Sequence, residues 1–174
     1  EGVNILDCVE SVLAQTYRPT EVIVVDDNST DSTGEILEQI ALRSPELRVV
    51  SGEQLPAGWV GKNHAIYQGV ARSKGEWYIF LDADTRMEPE AVARSVALAA
   101  QRDLAMFSFL PLHKLISFWE KVVQPVVLGV VFAGAPPSQT EDPRSGAAGA
   151  FGQFILFKRA AYEAIGGHEG VKGE

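Results

Sequence analysis

Cysteine is nearly missing. Cys8 stands alone in 174 residues, so no internal disulfide can form, and a reducing compartment is the expectation. Paired Cys/His spacing is missing too. His64, His113 and His168 each lack a second ligand at metal-binding spacing, which excludes a zinc finger and makes His64 structural first. Basic charge is scarce, with 15 Lys and Arg against 23 Asp and Glu for a net of −8. General nucleic-acid binding needs the opposite sign. The cleanest apolar run, residues 122–135, falls short of the ~20 residues a spanning helix requires. There is no initiator Met, basic leader or signal-type apolar segment. The chain begins at Glu1-Gly2 inside a helix pattern and stops at Lys172-Gly173-Glu174 without a closing turn. We therefore expect an internal piece of a longer protein.

What is present suits one α/β domain, with 46% of residues hydrophobic and 22% charged. The acid is uneven: residues 1–90 hold 16 Asp/Glu against 7 Lys/Arg, and residues 91–174 hold 7 against 8. An acidic first half can serve a cation that in turn carries a phosphate.

Apolar spacing predicts a helix over residues 4–15 with Asn4 as its N-cap. Residues 22–25 read as a buried strand ending in Asp26 and Asp27. A capping signal follows, then a helix through Ile36, Leu37 and Ile40, a strand over 47–50 and a loop over 52–61. A helix over 62–72 leads to a third strand, 77–81, ending in Asp82 and Asp84. Pro89 in a first turn opens a helix to 101, and 104–109 is a fourth strand. This alternation predicts a doubly wound, mostly parallel sheet flanked by helices, with ligands beyond the strand carboxyl ends. Asp27 and Asp82, 55 positions apart, then meet at one edge. Residues 115–135 are apolar but broken by Glu120, Lys121, Gln124 and Pro125. A loop over 136–149, a strand over 151–157 and a helix over 158–165 stopped by Gly166-Gly167 complete the pattern.

Three constellations carry chemistry. Alternation along Asp82-Ala83-Asp84 points both carboxylates the same way, so they can hold one hard divalent cation; solvated acids capping the next helix are the plainer account. In Val25-Asp26-Asp27-Asn28, one Asp can accept hydrogen bonds from a base or ribose; a polar turn with Asp31 as a helix-start acid is the alternative. Gly58-Trp59-Val60-Gly61-Lys62-Asn63 allows close backbone approach and sets Lys62 at a helix start, ready for a phosphate, but it lacks P-loop spacing.

Joined, these segments resemble the family 2 glycosyltransferases of the GT-A fold. The resemblance runs through Gln15-Thr16-Tyr17, Val24 through Asp31, Gly58 through Asn63 and Asp82-Ala83-Asp84-Thr85, then Gly152 through Arg159 and Gly166-Gly167-His168. The Trp-Val-Gly-Lys-Asn loop and the apolar middle look most like the bacterial membrane-associated branch with hopanoid- and carotenoid-linked enzymes. The resemblance implies a metal-assisted, inverting transfer of sugar from a nucleotide diphosphate, typically UDP, to a lipid-linked acceptor. It implies nucleotide-sugar binding by Asp26, Asp27, Lys62 and Asp82, Mg²⁺ or Mn²⁺ on Asp82 and Asp84, and an acceptor side at Gly152, Gln153 and His168. Residues 1–110 become the nucleotide-sugar and metal half of a single domain, and 111–174 the acceptor half.

The pattern is incomplete. Of the family's opening strand and its Pro-x-x-Asn-Glu motif only Glu1 remains, and the general base is expected beyond Glu174. We expect no turnover from this chain by itself. A nucleotide-sugar-binding domain without transfer, and a nucleotidyltransferase, stay open as alternatives. For 115–135, its aromatic and basic flanks suit peripheral contact with the inner face of the cytoplasmic membrane; an ordinary core helix is the competing account.

Overall fold

Val22-Ile23-Val24-Val25 is β-branched throughout, which favours extended backbone on a packed surface. It forms β1 (Val22–Asp26), paired in parallel with β2 (Leu47–Ser51) so that Val22 faces Leu47 and Asp26 faces Ser51. The computed structural model describes residues 2–18, 20–134, 136–140, 142, 144–145 and 149–173. Helix α1 (Gly2–Leu13) and α2 (Thr33–Ala41) cover this sheet. Ile5, Val9, Val22, Leu37, Ile40 and Leu47 close a first core. Leu37 and Ile40 are fully enclosed, each contributing about 1.5–3 kcal/mol of apolar burial.

A second sheet holds β3 (Trp77–Leu81), β4 (Met106–Ser108) and β5 (Phe154–Lys158) in the order β3-β5-β4. β5 runs antiparallel to both neighbours. The mostly parallel sheet expected is thus divided: parallel pairing is found at β1–β2, while β3 and β4 run alike with antiparallel β5 between them. A strand reached through a crossover helix must be parallel, but β5 arrives after a long excursion and is free to enter reversed. Helix α4 (Ala91–Gln101) packs Val92, Val96 and Ala99 on Phe154 and Leu156, a second core in which Phe109 stacks on Phe154 at 4.2 Å.

Helix α3 (Gly61–Ala71) lies against β1, and α7 (Arg159–Ala164) leads through Gly166, at φ +78°, into a 3₁₀ turn (Gly167–Glu169) on α3. Several boundaries differ from expectation. α1 starts at Gly2, so Asn4 lies inside its first turn rather than at the N-cap. Pro89 precedes α4, whose N-cap is Glu90. One-turn α6 (Pro137–Thr140) occupies part of the expected 136–149 loop.

The apolar stretch forms α5 (Phe118–Gly134), 17 residues with Pro125 inside and no buried residue. Among the described residues no helix is long and apolar enough to cross a membrane. Glu1, Glu174 and Ala135 lie outside the described residues.

Candidate functional site

The edge at the carboxyl ends of β1 and β3 is built from three segments. At the first, Asp26 Oδ1 accepts the Ser29 N–H at 3.0 Å, and Asn28 turns the chain at φ +59°, a conformation Asn tolerates. The Gly52 N–H donates to the Asp26 carbonyl at 2.8 Å. A Cβ on Gly52 would stand 2.9 Å from both the Asp27 Cα and its Oδ1, and one on Gly61 would stand 3.2 Å from Asp27 Oδ2. The Asp27 carboxylate therefore occupies the gap between the end of β2 and the start of α3, which side chains at either glycine would crowd.

Gly61 opens α3, whose N-cap, Val60, makes no side-chain capping bond. The first-turn amides thus have no side-chain acceptor at the cap, which favours an anion there. Trp59 braces the loop from behind, its ring 5.4 Å from His64 and 5.0 Å from Tyr67. His64 is buried with Nδ1 3.1 Å from Gln68 Nε2, the structural role expected. Lys62 reaches across the edge, and its Nζ donates to Asp82 Oδ1 at 2.5 Å.

Asp82 and Asp84 follow β3. Both bear on the Cys8 thiol, which burial, then Asp84, then Asp82 push up to about 11; the Cys8 Sγ points at the Asp82 carbonyl, 3.7 Å away. Among the described residues no group of three His, Cys, Asp or Glu could hold a metal. Two carboxylates suit a hard ion that draws its remaining oxygens from phosphate and water, as Mg²⁺ commonly does, and exclude an all-protein cage.

On the far side, a Cβ at Gly152 would lie 3.5 Å from Lys62 Nζ, and the Gln153 carbonyl stands 3.5 Å from the Asp82 N–H. Gln153 thus contributes backbone to this edge. The Tyr162 hydroxyl lies 2.7 Å from His168 Nδ1 and accepts the His168 N–H at 3.1 Å. Burial and then Lys62 lower the His168 pKa below its ordinary value. Two further contacts were not foreseen: the Val60 N–H donates to the Lys172 carbonyl at 2.8 Å, and Asn63 Nδ2 to the Val171 carbonyl at 2.7 Å. A cavity of about 360 Å³ lies apart, beside Leu42, and one of about 250 Å³ is lined by Tyr67, Tyr162 and His168; neither is lined by the four carboxylates. The acids stand on an open edge.

Asp27 thus sits beside Gly61 at the head of α3, and Lys62, the next residue, pairs with Asp82; Asp26 and Asp84 are their near neighbours in sequence. Sequence reading missed the Gly52–Gly61 gap around Asp27 and the role of Cys8. The first was recoverable: once Asp26 pairs with Ser51, parallel register brings Gly52 beside Asp27. Nothing in the sequence pairs Cys8 with residues 74 positions away.

Comparison with known proteins gives the family and the fold. Over residues 1–166 the chain matches the model of glycosyl transferase family 2. It is 31% identical over 160 residues to the 4,4'-diaponeurosporenoate glycosyltransferase of Staphylococcus aureus (strain USA300), covering 90% of this chain and 41% of that protein. It is 41% identical over 83 residues to the undecaprenyl-phosphate 4-deoxy-4-formamido-L-arabinose transferase of Pseudomonas savastanoi pv. phaseolicola, covering 47% of this chain and 23% of that one. The chain therefore spans less than half the length of these relatives. In fold it is similar to the mannosyltransferase PcManGT of Pyrobaculum calidifontis, solved with GDP-Man and Mn²⁺, at a TM-score of 0.70 and 24% identity over 96% of this chain and 44% of that one. Glucosyl-3-phosphoglycerate synthase of Mycobacterium tuberculosis, solved with UDP, gives a TM-score of 0.56 at 21% identity over 92% of this chain and 53% of that one. The chain belongs to glycosyl transferase family 2 and carries its GT-A fold.

Proposed function

We propose that this chain forms the donor side of an inverting transferase that moves a sugar from a nucleoside diphosphate, UDP first among them, to an oxygen of a lipid-linked acceptor. The observation that carries this is the start of α3, where Gly61 adjoins the Asp27 carboxylate and the next residue, Lys62, pairs with Asp82, so that three segments share one edge. Asp26 and Asp27 accept hydrogen bonds from base and ribose donors, the chemistry carboxylates supply at such edges. Lys62 serves the diphosphate as a point charge in the first turn of α3. Asp82 and Asp84 are the residues that would hold Mg²⁺ or Mn²⁺, and that ion would offset charge on the departing diphosphate. The fold neighbours bound to GDP-Man with Mn²⁺ and to UDP support this reading.

The acceptor side is assigned to Gly152, Gln153 and His168, the first two adjoining Lys62 and Asp82. Displacement at the anomeric carbon requires a base for the acceptor proton. We assign none here and seek it beyond Glu174. Relatives named for undecaprenyl phosphate and diaponeurosporenoate support a lipid-linked acceptor. The exposed α5 supports peripheral contact with the inner face of the cytoplasmic membrane.

Calorimetry with UDP and Mn²⁺ tests the donor site. Wild type should bind the pair, and Asp84→Ala should abolish the metal-dependent part. Equal binding by both proteins would overturn the assignment.

A further inference from the structure

The ammonium of Lys62 stands 2.5 Å from Asp82 Oδ1, on one of the two oxygens that this carboxylate offers a cation. Mg²⁺ lies about 2.1 Å from its oxygen ligands, so on Oδ1 ion and ammonium would press together. One unit of positive charge already offsets half of the charge that Asp82 and Asp84 offer. A metal ion arriving alone must displace that ammonium from Oδ1 or sit on Oδ2 against its positive charge. An arriving diphosphate removes the conflict, because it gives the ammonium an anion of its own.

Lys62 is free to make such a move. Its side chain is 59% exposed on a flexible four-carbon stem. Gly152 flanks Nζ with no side chain, and even a Cβ there would lie 3.5 Å away. Asp82 is held in place, with its side chain 29% exposed and its backbone lodged between Cys8 and Gln153. In this pair the lysine moves and the aspartate stays.

We infer that Lys62 is a placeholder, holding Asp82 in the unloaded protein and releasing it when a nucleoside diphosphate supplies a second anion, so that metal and nucleotide load together. This rests on the donor-site reading above and adds an order of events to it. Lys62 then acts as a positioning residue whose removal has opposite effects on two ligands. Metal alone binds better without it, and nucleotide binds worse. By linkage, the factor by which UDP raises Mn²⁺ affinity equals the factor by which Mn²⁺ raises UDP affinity. Part of that factor belongs to Lys62.

Titration of Mn²⁺ by electron paramagnetic resonance, with and without UDP, reads each quantity without any turnover. The proteins compared are wild type, Lys62→Gln and Lys62→Arg, with near-ultraviolet circular dichroism confirming the fold of each. Lys62→Gln should bind Mn²⁺ alone about tenfold more tightly than wild type, and its UDP–Mn²⁺ coupling should shrink by about the same factor. Lys62→Arg keeps the cation and should restore weak binding of Mn²⁺ alone. If Lys62→Gln binds Mn²⁺ alone no better than wild type, while wild type still takes UDP with Mn²⁺, the placeholder is wrong and the donor site stands. If neither wild type nor Lys62→Gln takes UDP with Mn²⁺, the donor-site reading fails and the placeholder with it.

Discussion

At the scale of single residues, Gln15 shows how far a helix cap can lie from its helix. It is 3% exposed, and its whole amide is engaged. Nε2 donates to the Ser11 and Glu88 carbonyls, each at 2.9 Å, while Oε1 accepts the Val92 N–H at 3.0 Å. Glu90, the N-cap of α4, makes no side-chain capping bond, so a glutamine 77 positions away satisfies the second amide of that helix. Gln15→Ala would leave the buried Val92 N–H without its acceptor, while the Glu88 carbonyl keeps the Ala91 N–H, an expected loss of about 1–3 kcal/mol in urea unfolding. Gln15→Glu keeps the acceptor, loses both donors and buries a charge, so it should not rescue stability. A Glu variant as stable as wild type would show that the acceptor alone matters. The Gln-Thr-Tyr triplet was legible only as a resemblance, because its purpose depends on a partner that local pattern does not reveal. Asp82 was different. Its position after a buried strand put it at the sheet edge before any coordinates did.

At the scale of elements, legibility followed local apolar patterning. β3 matched its expected span of 77–81, since Trp-Tyr-Ile-Phe-Leu is apolar and bounded by Glu76 and Asp82. β4 shrank from 104–109 to Met106–Ser108, because strand length is set by pairing with β5 and not by hydrophobicity. The reversal of β5 was not legible at all. α5 was legible as apolar but not in its setting: Phe118 and Trp119 are 68% and 71% exposed, and no residue of the helix is buried. His113, Lys114 and Lys121 edge it with base, which suits an anionic lipid surface. Flotation with phosphatidylglycerol-containing liposomes should carry the protein upward. Trp119→Ser with Val130→Ser should reduce flotation several-fold at unchanged melting temperature. Val130 is preferred over Phe132 because the Phe132 ring lies 6.0 Å from Phe151 and its loss would disturb the site's flank. Unchanged flotation of a folded double variant would remove the membrane contact.

At the scale of the whole molecule, the chain has two cores and one site between them. The first core belongs to β1–β2 with α1 and α2, and the second to β3-β5-β4 with α4. α1 ties them through polar contacts, with Gln15 on Glu88 and Val92, the Met87 N–H on Ser11 Oγ at 3.0 Å and Cys8 on the Asp82 carbonyl. Each sheet has its own buried cluster, so the two should open separately in native-state hydrogen exchange. Leu156 is fully enclosed in the second core, and Leu156→Ala should cost about 2–5 kcal/mol. In that variant the amides of β3, β4 and β5 should exchange faster while those of β1 and β2 stay near wild type. The site gives a second expectation. Asp26 and Asp27 belong to the first sheet, Asp82 and Asp84 to the second, and Lys62 reaches between them. UDP with Mn²⁺ bound across that gap should slow exchange in both sheets together, and in Leu156→Ala it should recover much of the lost protection. If Leu156→Ala loosened β1–β2 as much as β3-β5-β4, the molecule would be a single cooperative unit. The donor site would then sit on one rigid edge, and ligand binding would have no two bodies to join.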